Sequence, residues 1–342
     1  MPMSALSYLT HGLLAWHPLS MRRNWPGLAI AVLIALAATF LSTAYGGPQL
    51  LYALFFGLAL HWLWEDPTCR PGIQFCSQTL LRSGIAMLGA RVTWDQVATL
   101  GPRPLLMVVC AVAATIGFGC AVARLLGRPR CQGVLSGGAV GICGAAAAMA
   151  ISAVLPQTKE NEQFTLLTVV GVTTLSTIAM VAYPLLVHVF GLSDTAAGVF
   201  IGATIHDVAQ AVGAGYMVSG HAGDTALLVK LTRVACLVPV ILAVAALYRR
   251  QGGAQDGPPL VPLFLVGFVC LMLANSAHLI APTLAQAING ASRACLVLSI
   301  AALGMKTSFQ ALASLGWQPV LMLVSETLWL ALTVLAALRW AV

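Results

Sequence analysis

The chain has 342 residues, 59% of them hydrophobic and only 8% charged, where an ordinary soluble domain carries about 25% charged residues. Its net charge of +7 is scattered over the ends of apolar runs, with no basic patch interleaved with aromatics, so nucleic acid is excluded as a partner. What remains is a polytopic membrane protein, read as a single transmembrane domain over 26–342 behind an N-terminal cytoplasmic segment, 1–25.

Apolar runs predict spans near 26–45, 48–64, 73–91, 104–124, 132–155, 163–190, 195–218, 224–248, 260–279, 287–305 and 317–339, about eleven in all. The first follows Arg22 and Arg23 in the manner of a signal peptide. It is long for that role and many spans follow, which favours an uncleaved helix. With the N-terminus in the cytoplasm, inside loops hold nine basic residues and outside loops five, and the positive-inside rule favours that orientation. The Gly/Pro-rich stretch 249–259 reads as a linker. Nine cysteines stand singly, without CxxC or Cys/His ligand spacing, and read as small apolar packing residues; no metal or other cofactor is expected.

Residues 85–109 align without gaps to 300–324, with eleven of 25 positions identical, among them Leu88/Leu303, Gly89/Gly304, Gly101/Gly316 and Pro104/Pro319. Trp94/Phe309 is a conservative match. On the predicted spans, seven crossings separate the copies. An odd number gives them opposite orientations, as in transporters built from inverted repeats.

The run SGGAVGICGAAAAMA, 136–150, holds four glycines and is a poor continuous helix. One reading is a helix unwound near Gly141–Gly144, with a half-helix from Ala145 presenting free N–H groups to an anion. The other is close helix packing through Gly137 and Gly141. In GATIHDVAQAVGAG, 202–215, His206 and Gln210 share a helix face and Asp207 is offset by about 100°. A titratable pair at this depth points to function. A weak echo links ICGAAAA, 142–148, to IHDVAQA, 205–211.

Three cations, Arg82, Lys230 and Arg233, lie inside predicted spans, and Asp207 and Glu326 are the carboxylates there. A lone cation at the bilayer centre costs at least about 2.5–3.5 kcal/mol. The surplus of one positive charge, three against two, points to an anion.

Together GICGAAAAMA (141–150), GATIHDVAQAVGAG (202–215), LVKLTRVACLVPVIL (228–242), LGMKTSFQAL (303–312) and LLRSGIAMLGARVT (80–93) resemble the YeiH-like family of bacterial inner-membrane proteins, to which sulfate export is attributed. That family resembles the bile-acid/arsenite transporter group. The resemblance implies an all-α fold with inverted repeats and discontinuous crossing helices, and a sulfur oxyanion or sulfonate as substrate. It includes Cys143, which follows Ile142 here, and Asp207, which follows His206.

The expectation is an anion exporter of the bacterial inner membrane, working on sulfate, sulfite or a sulfonate, with no enzymatic activity. No P-loop is present, so an ion gradient or the membrane potential must drive it. Arg82, Gly141, Cys143, Gly144, Ala145, His206, Gln210, Lys230 and Arg233 are the candidate substrate-binding residues, and Asp207 and Glu326 the candidate coupling residues. The partners expected are the small anion and the lipid bilayer, with a homodimer open to it. A passive anion channel is the alternative. An intramembrane enzyme using Cys143 or His206 lacks any HExxH or GxSxG motif.

Overall fold

A computed structural model describes residues 18–93, 101–156, 158–248, 263–307 and 316–341. The linker 249–259, most of the segment 1–25 and the Trp94/Phe309 match lie outside the described residues. The described chain is all-helical, and it divides into two compact units, Met1–Thr99 with Val261–Thr307 and Leu100–Leu260 with Ser308–Val342. This is a multi-pass membrane protein. Among the described residues six helices are long and apolar enough to cross a membrane. Among the described residues, every predicted span falls on one helix or on two or three consecutive helical segments.

The first unit contains α1 (Pro18–Tyr45), α2 (Gln49–Ala59), a short 3-10 turn (His61–Trp64), α3 (Arg70–Phe75), a π-helical turn (Cys76–Leu80) and α4 (Leu81–Leu88). It is completed by α13 (Leu263–Ser276) and α14 (Pro282–Lys306). Small residues let these helices touch backbone to backbone, which is how helices associate without a hydrophobic driving force in lipid. A Cβ on Gly72 would collide with the Asn24 carbonyl of α1, and one on Gly304 would lie 2.5 Å from the Leu54 carbonyl of α2. Ser299 Oγ of α14 donates to the Cys76 carbonyl at 3.0 Å, and Ser292 Oγ to the Gly84 carbonyl at 2.7 Å. The early residue of one helix therefore meets the late residue of the other, so α14 runs antiparallel to the segment 76–88.

The second unit contains α5 (Pro102–Leu125), α6 (Arg130–Gly141), α7 (Ala145–Ser152), α8 (Lys159–Val189), α9 (Asp194–Thr204) and α10 (Val208–Val218). After these come α11 (Gly220–Ala235), α12 (Leu237–Tyr248) and α15 (Trp317–Ala341). Glycines again set the contacts. A Cβ on Gly133 of α6 would lie 2.5 Å from the Gly119 carbonyl of α5, and one on Gly202 of α9 would lie 2.5 Å from the Ala226 carbonyl of α11. Phe118 of α5 stacks on Trp329 of α15 with ring centroids 4.6 Å apart. A groove of about 510 Å³ brings the earlier residues Arg103–Ala114 against the later residues Thr333–Ala337. The helices α5 and α15 are thus antiparallel as well.

The repeated segments open alike. Gly101 and Gly316, matched in the sequence, stand before α5 and α15 with φ of 74° and 80°. Only glycine takes such values without strain, and no atom lies within 4 Å of where a Cβ would be on either. Conformation, not crowding, accounts for the residue at both sites.

Candidate functional site

Two helices of the second unit are broken in the same way. The first stops at Gly141 and restarts at Ala145; the second stops at Thr204 and restarts at Val208. Each break is three residues long and begins with an isoleucine, Ile142 or Ile205, followed by Cys143–Gly144 or His206–Asp207. Of the two readings open for 136–150, unwinding applies at 142–144 and packing at Gly137. A Cβ on Gly137 would sit 2.8 Å from the Thr115 carbonyl of α5, whereas one on Gly141 would meet nothing closer than 3.4 Å.

A helix that stops inside a protein leaves its last carbonyls without N–H partners, at the negative end of the helix dipole. Here Lys230 and Arg233 of α11, both fully buried, supply the donors. Arg233 donates from Nε to the Gly141 carbonyl at 2.8 Å and from Nη2 to the Val140 carbonyl at 2.6 Å. Its Nη1 donates to the Ile205 carbonyl at 3.0 Å and the Gly202 carbonyl at 3.4 Å. Lys230 Nζ joins both breaks, donating to the Ile142 carbonyl at 3.0 Å and the Ile205 carbonyl at 2.7 Å. One helix turn of α11 thus ties the C-terminal ends of α6 and α9 together. Carbonyl oxygens at the helix ends are the hydrogen-bond partners of both buried cations.

The restarting halves differ. In α10 the N-cap is Asp207, whose carboxylate accepts from the Ala209 N–H at 2.8 Å and the Gln210 N–H at 3.3 Å. The other flanking helices are capped by hydroxyls: Thr158 opens α8, Ser193 opens α9 and Ser219 opens α11. In α7 the N-cap position is Gly144, with φ 67°, and no side chain caps the helix. Ala145 is half-buried and Ala146 exposed, so this N-terminus is accessible. Gly144 also leaves room for its neighbours: a Cβ there would lie 3.4 Å from His206 Cβ and 3.6 Å from Val172 Cγ2 of α8.

His206 is fully buried, with Nε2 3.0 Å from Thr327 Oγ1 of α15. That hydroxyl donates to the Leu323 carbonyl at 2.7 Å. A hydroxyl has one proton, so it accepts from His206 Nε2–H. Nδ1 makes no hydrogen bond among the described residues. Gln210 donates from Nε2 to Thr177 Oγ1 at 2.7 Å, and the Asp207 N–H donates to Ser176 Oγ at 2.9 Å. The sequence reading omitted Ser176, Thr177, Thr327 and Ser136. The run TTLST, 173–177, was the visible signal for the first two: polar side chains inside an apolar span.

The other candidates fall elsewhere. Cys143 packs in an apolar cluster with Val112, Ala147, Val234 and Leu237. Glu326, fully buried on α15, accepts from Ser136 Oγ of α6 at 2.7 Å. Arg82 is exposed on α4 in the first unit, while every other candidate belongs to the second.

Comparison with known proteins gives the same assignment over most of the chain. The family described as conserved hypothetical protein 698 matches residues 26–323. A UPF0324 membrane protein of Chlorobaculum tepidum is 46% identical over 334 residues, covering 96% of this chain and 93% of the relative. The UPF0324 membrane protein TauZ of Paracoccus pantotrophus is 46% identical over 320 residues, 92% of this chain and 95% of the relative. The UPF0324 inner membrane protein YeiH of Salmonella typhi is 30% identical over 343 residues, covering 96% and 95%. No solved structure matches.

Proposed function

The chain belongs to the UPF0324 family of membrane proteins that includes YeiH, and from that premise we propose that it is a secondary transporter. It moves a small anion, sulfate, sulfite or a sulfonate, outward across the bacterial inner membrane. The anion binds at the N-terminus of α7, over Gly144, Ala145 and Ala146, with His206 and Gln210 beside it.

One observation carries this reading: α7 has no cap where α10 has the Asp207 carboxylate. Charge around the breaks is otherwise matched. The C-terminal ends of α6 and α9 face Lys230 and Arg233, and the N-terminal end of α10 faces Asp207. The N-terminus of α7 is the positive end left over, and a helix N-terminus binds anions through its free N–H groups and dipole. An oxyanion there would stand to α7 as the Asp207 carboxylate stands to α10. Lys230 and Arg233 act at one remove, by holding the break open, and Gly141 and Cys143 shape the break rather than contact the anion.

The antiparallel pairing of the repeated helices supports a pair of inverted repeats, the architecture in which half-helix ends meet a substrate. No P-loop is present, so the motive force is an ion gradient or the membrane potential.

The test is a proteoliposome panel with labelled sulfate, sulfite and taurine. The expected result is saturable uptake of one of them, accelerated when the same unlabelled anion is loaded on the opposite side. Saturation without counterflow acceleration, or flux linear in concentration, would replace the transporter by a channel. The absence of flux for all three would reject these substrates.

A further inference from the structure

Resting on the transporter reading, we infer that Glu326 is a proton-binding site, and that the proton it exchanges is the coupling ion for anion movement. Glu326 is the tenth residue of α15, about 13 Å from the start of that helix at 1.5 Å per residue. Its side chain is fully buried. Oε1 accepts from Ser136 Oγ at 2.7 Å, and Oε2 has no hydrogen-bond partner among the described residues.

The surroundings have been cleared for a carboxyl group but not charged to match it. On α5, Gly119 provides the space: a Cβ there would come within 2.7 Å of Glu326 Oε1. The titratable group facing it from α5 is Cys120, and from α6 it is met by the neutral Ser136. Among the described residues, no charged side chain of α6, α8 or α9, which also pack on α15, acts on it. The two buried cations of this unit are spent on the carbonyls of Val140, Gly141, Ile142, Gly202 and Ile205. A buried carboxylate without a cation costs several kcal/mol. A proton supplies the missing charge in the least space, whereas Na⁺ would need several more oxygens than Ser136 and this one carboxyl provide.

Position links the proton to the anion. Ser136 lies five residues before Gly141, so the carboxyl holds α6 about 7.5 Å from the first break. The next residue of α15, Thr327, holds His206 in the second break. One helix therefore holds, through adjacent residues, the helix that leads into the first break and the second break itself. A bound anion at α7 adds a second negative charge to the same bundle, so anion and proton load together, and the proton leaves when the site opens to the far side. Asp207 does not need the proton, because its carboxylate already caps α10.

The experiment has two arms, both on the full chain in lipid vesicles. In the first, flux of the transported anion is compared with and without a pH step at clamped membrane potential. Wild-type flux rises when the side the anion leaves is made acidic, and in Glu326→Gln the two fluxes become equal. In the second, infrared difference spectra on a pH jump show a carboxylic C=O band that is missing from Glu326→Gln. Ser136→Ala, which keeps the carboxyl, shifts the midpoint of that band and carries the test should Glu326→Gln not fold. A pH response that survives in Glu326→Gln overturns the inference, as does one lost instead in His206→Gln or Asp207→Asn, or a wild type without the band. Should no anion move at all, the transporter reading fails by itself, and the infrared arm still decides whether Glu326 takes up a proton.

Discussion

Arg233 shows how a cation buried inside an apolar segment is held. An arginine so far inside an apolar segment must be compensated, and the sequence offers Asp207 or an anionic substrate for that. Its hydrogen-bond partners are backbone: four carbonyls at the ends of two interrupted helices, at 2.6 to 3.4 Å. Such carbonyls leave no mark in the sequence beyond the glycines that let the helix stop. The consequence for mutation is structural first. Removing the guanidinium orphans buried acceptors at about 1–3 kcal/mol each. Arg233→Ala should therefore lower unfolding stability by about 3 kcal/mol or more, visible as a lower melting temperature in detergent and a lost monodisperse peak. Arg233→Lys should recover only part of this, because an ammonium cannot reproduce the planar fork that reaches Val140, Gly141 and Ile205 together. A melting temperature equal to wild type in Arg233→Ala would mean that the two breaks are held by something else. Arg82 shows the opposite case. It sits as deep in its predicted span, yet its side chain is exposed on α4, and hydropathy alone does not distinguish the two.

At the scale of elements, the break at 142–144 was legible and its glycines were not all alike. Four glycines in one run signal that a helix is in trouble, but composition does not say which of them face a neighbour. Gly137 is pressed on α5, with the Thr115 carbonyl 2.8 Å from its missing Cβ. Gly144 is needed for its backbone, with φ 67°, where an L-residue is strained. Gly141 is free of both constraints. Three substitutions should therefore separate. Gly141→Ala should keep stability and anion flux near wild type. Gly137→Ala should reduce stability by about 1–3 kcal/mol through overpacking. Gly144→Ala should strain the restart of α7 by about 1–3 kcal/mol and depress anion affinity beyond its effect on stability. Melting curves and counterflow on the three proteins decide this, and a Gly141→Ala as damaged as Gly144→Ala would return the first of them to the binding site. The Asp207 cap was hidden for a related reason: a carboxylate inside a span reads as a titrating group, and only the chain's turn at 205–207 reveals it as the end of one helix and the start of another.

For the whole molecule, the apolar runs fall on helical segments among the described residues, and the internal repeat bears on what relates them. The matched glycines, Gly101 and Gly316, adopt nearly the same φ before helices of 24 and 25 residues. What the sequence left open was direction, which rested on counting crossings through segments such as 130–152 and 194–218 that are each two short helices. Contacts bear on direction without any count. Phe118 meets Trp329, and Ala114 lines the same groove as Thr333. Continued at the same offset beyond the aligned 85–109 and 300–324, the repeat would carry 118 to 333 and 329 to 114, so that each pairing would become the other with the copies exchanged, as expected of an inverted pair related by a two-fold axis. The starts of α5 and α15 should then open to opposite sides of the membrane. Arg103→Cys and Trp317→Cys, each placed in a chain freed of its own cysteines, should be labelled by an impermeant maleimide from opposite faces. With the N-terminus in the cytoplasm, the first reacts in right-side-out vesicles and the second only in inverted ones. Labelling of both from one face would dissolve the inverted repeat. The proposed hold of α15 on the helix leading into the first break and on the second break would stand, because it depends on Ser136, Glu326, Thr327 and His206 alone.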